Sequence, residues 1–236
     1  MELHPMKRYG HLFFDLDHTL WDFEANSRAT LREIFLAERL AERGVADPEE
    51  FIDTYEEINQ VLWDRYENGH LNKEVLRVLR FRNTLLRFGI KDGPMAERMG
   101  RDYLASCPLK GTLMPGALQL LQDLHGRYRM HIITNGFDEV QHVKLKSSAI
   151  AGYFDVVLTS EMAGARKPDP RIFAAALKRT KANTGDSLMI GDNVRADMEG
   201  ARNAGLDHAH FAPNAPIDPQ ATYVLKHLDD LRAVLL

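Results

Sequence analysis

The chain has 236 residues, 44% hydrophobic and 27% charged, an ordinary balance for one folded domain with a large insertion or for two modest domains. Lys and Arg number 30 against 34 Asp and Glu, and the net charge of −4 excludes the basic footprint of a nucleic-acid binder. No apolar run is long enough to span a bilayer, and the single cysteine, Cys107, excludes an intrachain disulfide.

The first eight residues hold no apolar leader, so the cytoplasm is the expected location, and Met6 is an alternative start because the fold begins just after it. Leu12-Phe13-Phe14 is a short apolar run of the kind buried on both faces of a parallel sheet. After Trp21 the strand pattern vanishes for about ninety residues. Ala25–Arg43 has helical spacing with a stop at Arg43-Gly44. Asp47-Pro48 reads as an N-cap with proline at the first helical position, opening a helix to Glu67 that Asn68-Gly69 ends. Leu71–Phe88 and Pro94–Ser106 are two further helical stretches, and Cys107 reads as a small core residue near the end of the second. From Met114 onward helices alternate with apolar strands at Met130–Thr134, Asp155–Leu158, Ser187–Ile190, His208–Phe211 and Thr222–Leu225. That alternation predicts an α/β fold with a Rossmann-like parallel sheet. His208 and His210 alternate on a short strand and read as structural, and no His-x-x-x-His pair or Cys/His cluster suggests zinc.

Four strand ends carry chemistry. Asp15 and Asp17, with Thr19 two residues on, follow the first apolar run, where open α/β sheets bind ligands. Two carboxylates in one crevice ask for a cation or a shared proton, and Mg²⁺ suits such oxygen ligands. Thr134-Asn135-Gly136 ends another run, and a Thr hydroxyl with the N–H groups after it can hold an oxyanion. Lys167 precedes Pro168, which pushes it toward an extended backbone, and a fixed ammonium there neutralises phosphate oxygens. Gly191-Asp192 ends a third run, with Asp197 five residues on at the start of a helix. Asp192 could ligate the same cation, and Asp197 could orient the lysine. Taken singly, each has a plain reading: an Asp cap, an Asn-Gly turn, a solvated lysine.

In this order the four sets resemble the motifs of the haloacid dehalogenase superfamily, from about residue 10 to about residue 212. An Asp at position 17 is similar to the members that transfer phosphoryl groups, not those that cleave carbon–halogen bonds. The resemblance implies Asp15 as nucleophile and Asp17 as general acid and base. It implies Thr134, the Asn135 N–H and Lys167 on phosphate, with Mg²⁺ on Asp15, the Asp17 carbonyl and Asp192. Asp197 and Thr19 would support these residues. Asp17 must be protonated when substrate binds, and burial beside another carboxylate is expected to raise its pKa.

The helical insertion resembles the α-helical cap of that superfamily. It divides the chain into a catalytic core, 1–20 and 112–236, and a cap, 21–111, that reads the substrate beyond its phosphate, with Trp21, Asp22 and Phe23 at the hinge. Stretches around Asn59-Gln60, Trp63, Tyr66 and Arg80-Phe81, with Trp21–Asn26 and Thr134–Gln141, resemble the house-cleaning pyrimidine 5′-nucleotidases. Trp63, Tyr66 or Phe23 could stack on a base and Asn59 or Gln60 could bond its edge, although Trp63 and Tyr66 have the spacing of core packing. Arg80 is expected to pair with an acid inside the cap. The implied partner is a small-molecule phosphate monoester, with a nucleoside monophosphate foremost and a sugar phosphate, phosphoglycolate or a phosphomutase substrate as alternatives, for a monomer or homodimer. A catalytically dead phosphate-binding module is disfavoured by the complete set of motif residues.

Overall fold

The computed structural model describes residues 9–236, and the Met6 start lies outside them. The described chain forms two units, residues 9–23 with Gly111–Leu236, and Glu24–Lys110.

The first unit is built on six parallel strands in the order β3-β2-β1-β4-β5-β6. They are β1 (His11–Phe14), β2 (Arg129–Thr134), β3 (Val156–Thr159), β4 (Ser187–Gly191), β5 (Asp207–Phe211) and β6 (Tyr223–Leu225), joined and followed by helices α5 (Ala117–Leu124), α6 (Asp138–Ser147), α7 (Ser160–Ala163), α8 (Pro170–Thr180), α9 (Gly200–Asn203) and α10 (Asp230–Leu235), with α1 to α4 lying in the second unit. The central strands are covered on both faces, which explains their unbroken apolar runs. Phe13, Ile133, Leu158 and Met189 point to one face, against Ile172, Phe173 and Ala176 of helix α8 (Pro170–Thr180) and Ala201 of α9 (Gly200–Asn203). Leu12, Phe14, Ile132, Leu188 and Ile190 are buried on the other face. Gly200 permits the close approach of α9 to α8, since a Cβ there would lie 2.7 Å from the Phe173 ring.

Strand order reverses at β1. The chain leaves it toward β2 and β3 on one side and returns to β4, β5 and β6 on the other. In open parallel sheets the crevice beyond the carboxyl ends at such a reversal is where ligands bind. Phe14 pairs in register with Ile132 of β2 and Ile190 of β4, so the residues that follow these three strands emerge at one place.

The second unit contains α1 (Phe23–Ala37, its first residue belonging to the sheet unit), α2 (Pro48–Glu67), α3 (Lys73–Arg87) and α4 (Gly93–Ser106). The Asp47 carboxylate caps α2 as its position predicts, accepting the Glu49 N–H. Helix α1 stops well short of Arg43. Arg39 takes a left-handed backbone, φ 51°, and a short 3₁₀ turn spans Leu40–Arg43. A continuous helix would stack Leu40 above Leu36, which is 73% exposed, whereas the break turns Leu40 into the core. Tyr55, Phe81 and Tyr103 form the aromatic centre, with ring centroids 4.9 to 5.7 Å apart. Cys107 is buried just after α4, as expected. Tyr66 is buried against Trp63 at 5.3 Å, whereas Gln60 is exposed.

Among the described residues the expected acid partner of Arg80 is not there. Its guanidinium is buried and stands over the rings of Tyr103 (4.5 Å), Phe81 (5.6 Å) and Tyr55 (6.0 Å), with Nε and one terminal nitrogen making no hydrogen bond. Ring faces, which carry partial negative charge, take the place of the carboxylate. Among the described residues no helix is long and apolar enough to cross a membrane.

Candidate active site

Asp15 follows β1, and its N–H donates to the Ile190 carbonyl at 2.8 Å, which extends the β1–β4 ladder by one step. Asp192 follows β4 in the same way, and Thr134 closes β2. The sheet register therefore brings three of the four sequence motifs together before any side chain is considered.

Lys167 joins them from the loop before α8. Its ammonium makes three short contacts: the Asp15 carboxylate at 2.6 Å, the Asp197 carboxylate at 2.6 Å and the Ile133 carbonyl at 2.8 Å. That satisfies all three of its hydrogens. The Asn135 side chain clamps the Lys167 backbone from both sides, accepting its N–H at 2.8 Å and donating to its carbonyl at 3.0 Å. The Lys167–Pro168 peptide is cis. Burial disfavours a charged lysine, but Asp15 and Asp197 outweigh it and hold the ammonium protonated.

The acids are less content. Asp15, Asp192 and Asp197 bring carboxylate oxygens within 4.8 Å of one another around a single ammonium. Burial raises the pKa of Asp15 first, and the charge of Asp197 adds to it against Lys167. Asp192 is raised by burial and by Asp15, although Thr19 donates to its carboxylate at 3.0 Å. Asp197 is raised by burial and by Asp192, with Lys167 opposing. Two buried carboxylates, the half-buried Asp192 and one lysine leave an excess of negative charge, which a hard divalent cation would relieve with the oxygen ligands it prefers. The residues fit Mg²⁺ on this ground. Asp197 is already engaged by Lys167 and by the Asn193 N–H, the latter at 3.1 Å. Gly191 makes room for it, because a Cβ there would overlap the Asp197 carboxylate. Asn193, not Asp192, caps the turn that follows, accepting from the N–H groups of Arg195 and Ala196. His210 is buried and holds the loop through the Asp192 carbonyl at 3.0 Å, and His208 is likewise buried.

Asp17 departs from expectation. Burial raises its pKa, but the Lys144 charge and hydrogen bonds from Lys144 and Gln141 win, so it lies below the ordinary carboxylate value. One oxygen accepts from the Lys144 ammonium at 2.5 Å and the other from the Gln141 amide at 2.9 Å. A neighbouring carboxylate was the only partner the motif itself disclosed; the cation comes from α6 (Asp138–Ser147). Thr134 is buried and accepts from the Gly136 N–H at 3.0 Å and from Gln141 at 2.7 Å. With both lone pairs used, its hydroxyl hydrogen is left to donate to a ligand.

Lys144 was not among the residues that the motif spacing singled out, and Gln141 had no assigned role. Their one signal is an i, i+3 spacing that places both on one face of α6, a weak mark in a mostly polar helix.

The chain belongs to the haloacid dehalogenase-like hydrolase family, whose model matches residues 9–205. It is 34% identical to pyrimidine 5′-nucleotidase PynA of Streptococcus pneumoniae over 94% of this chain and 93% of that one. It is 32% identical to pyrimidine 5′-nucleotidase YjjG of Escherichia coli over 97% of this chain and 98% of that one. A crystal structure of the HAD-hydrolase YfnB of Bacillus subtilis, bound to magnesium, superposes with a TM-score of 0.87 at 29% identity, covering 97% and 99% of the two chains.

Proposed function

We propose that this hydrolase is a Mg²⁺-dependent phosphatase of small phosphate monoesters, acting through an aspartyl-phosphate, with pyrimidine nucleoside 5′-monophosphates as its substrates. Asp15 held at 2.6 Å by Lys167, where the sheet order reverses, carries the chemical part of this reading. Two pyrimidine 5′-nucleotidases similar to it over nearly their whole length support the substrate class.

Asp15 attacks phosphorus, and the bond from phosphorus to the nucleoside oxygen breaks. Asp17 gives that oxygen a proton and later takes one from the water that attacks the aspartyl-phosphate. A phosphate dianion entering beside Asp17 is a like charge, which raises its lowered pKa so that the carboxylate takes up a proton from solvent before it serves as the acid. The Thr134 hydroxyl, the Asn135 N–H and the Lys167 ammonium, whose hydrogen on Asp15 is freed as that carboxylate bonds phosphorus, hold the remaining phosphoryl oxygens as charge shifts toward the leaving group. Asp15, the Asp17 carbonyl and Asp192 would hold Mg²⁺, with Thr19 steadying Asp192 and Asp197 kept for Lys167. When bound, the ion offsets the carboxylate charge and polarises a phosphoryl oxygen. The helical unit, with Trp21–Phe23 at its junction, would act as the cap that reads the nucleoside.

The test is phosphate release from UMP, dUMP, dTMP, AMP, phosphoglycolate and several sugar phosphates, each with Mg²⁺ and with EDTA. Release from the pyrimidine nucleotides that needs Mg²⁺ is expected. Mg²⁺-dependent release confined to sugar phosphates would overturn the nucleotidase assignment and keep the chemistry. Absence of metal-dependent release from every ester would overturn both.

A further inference from the structure

We infer that Gln141 and Lys144 of α6 are positioning residues that aim the Asp17 carboxyl at the leaving-group oxygen, and that Gln141 ties this aim to the phosphate-binding hydroxyl of Thr134. The inference rests on the acid–base role proposed for Asp17 and adds the residues through which that role is exerted.

The geometry is specific. Asp17 has two carboxylate oxygens, and each is assigned: one to Lys144 at 2.5 Å, the other to Gln141 at 2.9 Å. Two donors on two oxygens fix the carboxyl plane as well as its position. The Gln141 amide nitrogen has two hydrogens, and it also donates to Thr134 at 2.7 Å. A single buried amide therefore joins the proton donor to the hydroxyl that grips the phosphoryl group, and a shift in one is felt by the other. Gln141 has no exposed surface, and its own carbonyl oxygen makes no hydrogen bond. That orphan is a cost a merely structural glutamine would shed by substitution with an apolar residue. Gly136 is required opposite it, since a Cβ there would overlap the Gln141 amide. Lys144 is only 4% exposed and lies over the Trp21 ring at 4.3 Å, with Phe23 at 5.5 Å. The two rings and the Asp17 carboxylate together hold the ammonium in place. Buried ion pairs seldom justify themselves by stability alone, and this one is built onto a residue with a reaction to perform.

A residue that acts through a general acid matters in proportion to how much the leaving group needs a proton. UMP leaves as an alkoxide and needs one; p-nitrophenyl phosphate leaves as a stable phenolate and does not. The experiment compares kcat/KM, which reports the steps through phosphoenzyme formation, for both esters in wild type, Lys144→Met and Gln141→Leu. Lys144→Met keeps a stem on Trp21, and thermal unfolding checks that each variant is folded. For Lys144→Met the expected result is a fall of about 10- to 100-fold on UMP and under about threefold on p-nitrophenyl phosphate, within the range for a misplaced proton donor; Gln141→Leu, which also releases the Thr134 hydroxyl, should lose on both esters and more on UMP. Lys144→Arg, which keeps charge and ring stacking, should recover part of the loss on UMP alone. Equal losses on the two esters, or none on UMP, would overturn the inference while leaving the phosphatase reading intact. A wild type that turns over neither ester with Mg²⁺ would overturn both.

Discussion

Lys167 in the sheet unit and Arg80 in the helical unit are each 2% exposed, and their surroundings are opposite in kind. Lys167 sits among carboxylates and a carbonyl that take all its hydrogens. Among the described residues Arg80 meets no carboxylate; it is surrounded by three aromatic rings, with two of its nitrogens unbonded. The first arrangement concentrates charge that a reaction can use, and it leaves the acids in excess so that a cation is wanted. The second merely tolerates a charge, and the rings that do so also fill the core. A buried cation is therefore no sign of a site by itself; the identity of its neighbours decides.

The largest expected effects break the first arrangement. Asp15→Asn should lower phosphate release by about 10⁴-fold or more, as loss of a nucleophile does, and leave the fold intact because an ionised Asp15 is already disfavoured by burial. Steady-state release together with circular dichroism reads both halves. Lys167→Met leaves Asp15 and Asp197 buried without their cation, and about 3–5 kcal/mol of stability should be lost in urea titrations of the metal-free protein.

Arg80→Met sharpens the contrast. No acid is orphaned by this change, so stability should stay level or rise by about 1–3 kcal/mol, and a loss as large as that of Lys167→Met would show that ring faces are worth as much as carboxylates. Urea midpoints with unchanged m-values provide the comparison.

Metal and pH probe the excess of acid directly. Asp15, Asp192 and Asp197 titrate higher in the folded chain than in an unfolded one, so the folded state holds protons that the unfolded state releases. Their contribution is complete below the ordinary carboxylate range and is lost as pH rises through about 7, the value to which Asp15 is pushed. Asp17 works the other way, contributing above the ordinary carboxylate value and losing it as pH falls. In EDTA the melting temperature should therefore decline between about pH 5 and pH 8, and Mg²⁺ should raise it more at pH 8 than at pH 5. Scanning fluorimetry at both pH values reads the difference. Smallest of all, Asp47→Ala removes the cap of α2 and should cost about 1 kcal/mol with no change in phosphate release.

Much of the sheet was legible because strands buried on both faces write themselves as apolar runs, and the acids that end them mark where the sheet opens. The bounds of α2 were legible for a local reason, the Asp47-Pro48 start and the Asn68-Gly69 end. The end of α1 was not, because burial of Leu40 decides it and burial depends on residues remote in sequence. Lys144 and Arg80 were missed or misjudged for the same reason. A lysine in a polar helix shows nothing of the carboxylate 127 positions away that it meets, and an arginine does not disclose that its neighbours are rings. The raised pKa expected of Asp17 followed from its motif, and the cation that lowers it lies outside the motif.

An acid-quenched reaction with UMP and Mg²⁺, followed by peptide mapping of the protein mass, is the most direct measurement. A phosphoryl group on Asp15, absent in Asp15→Asn and absent with EDTA, is the expected result. Mg²⁺-dependent phosphate release with no phosphoryl group trapped on Asp15, even in a variant such as Asp17→Asn that slows its hydrolysis, would contradict the assignment of Asp15 as nucleophile.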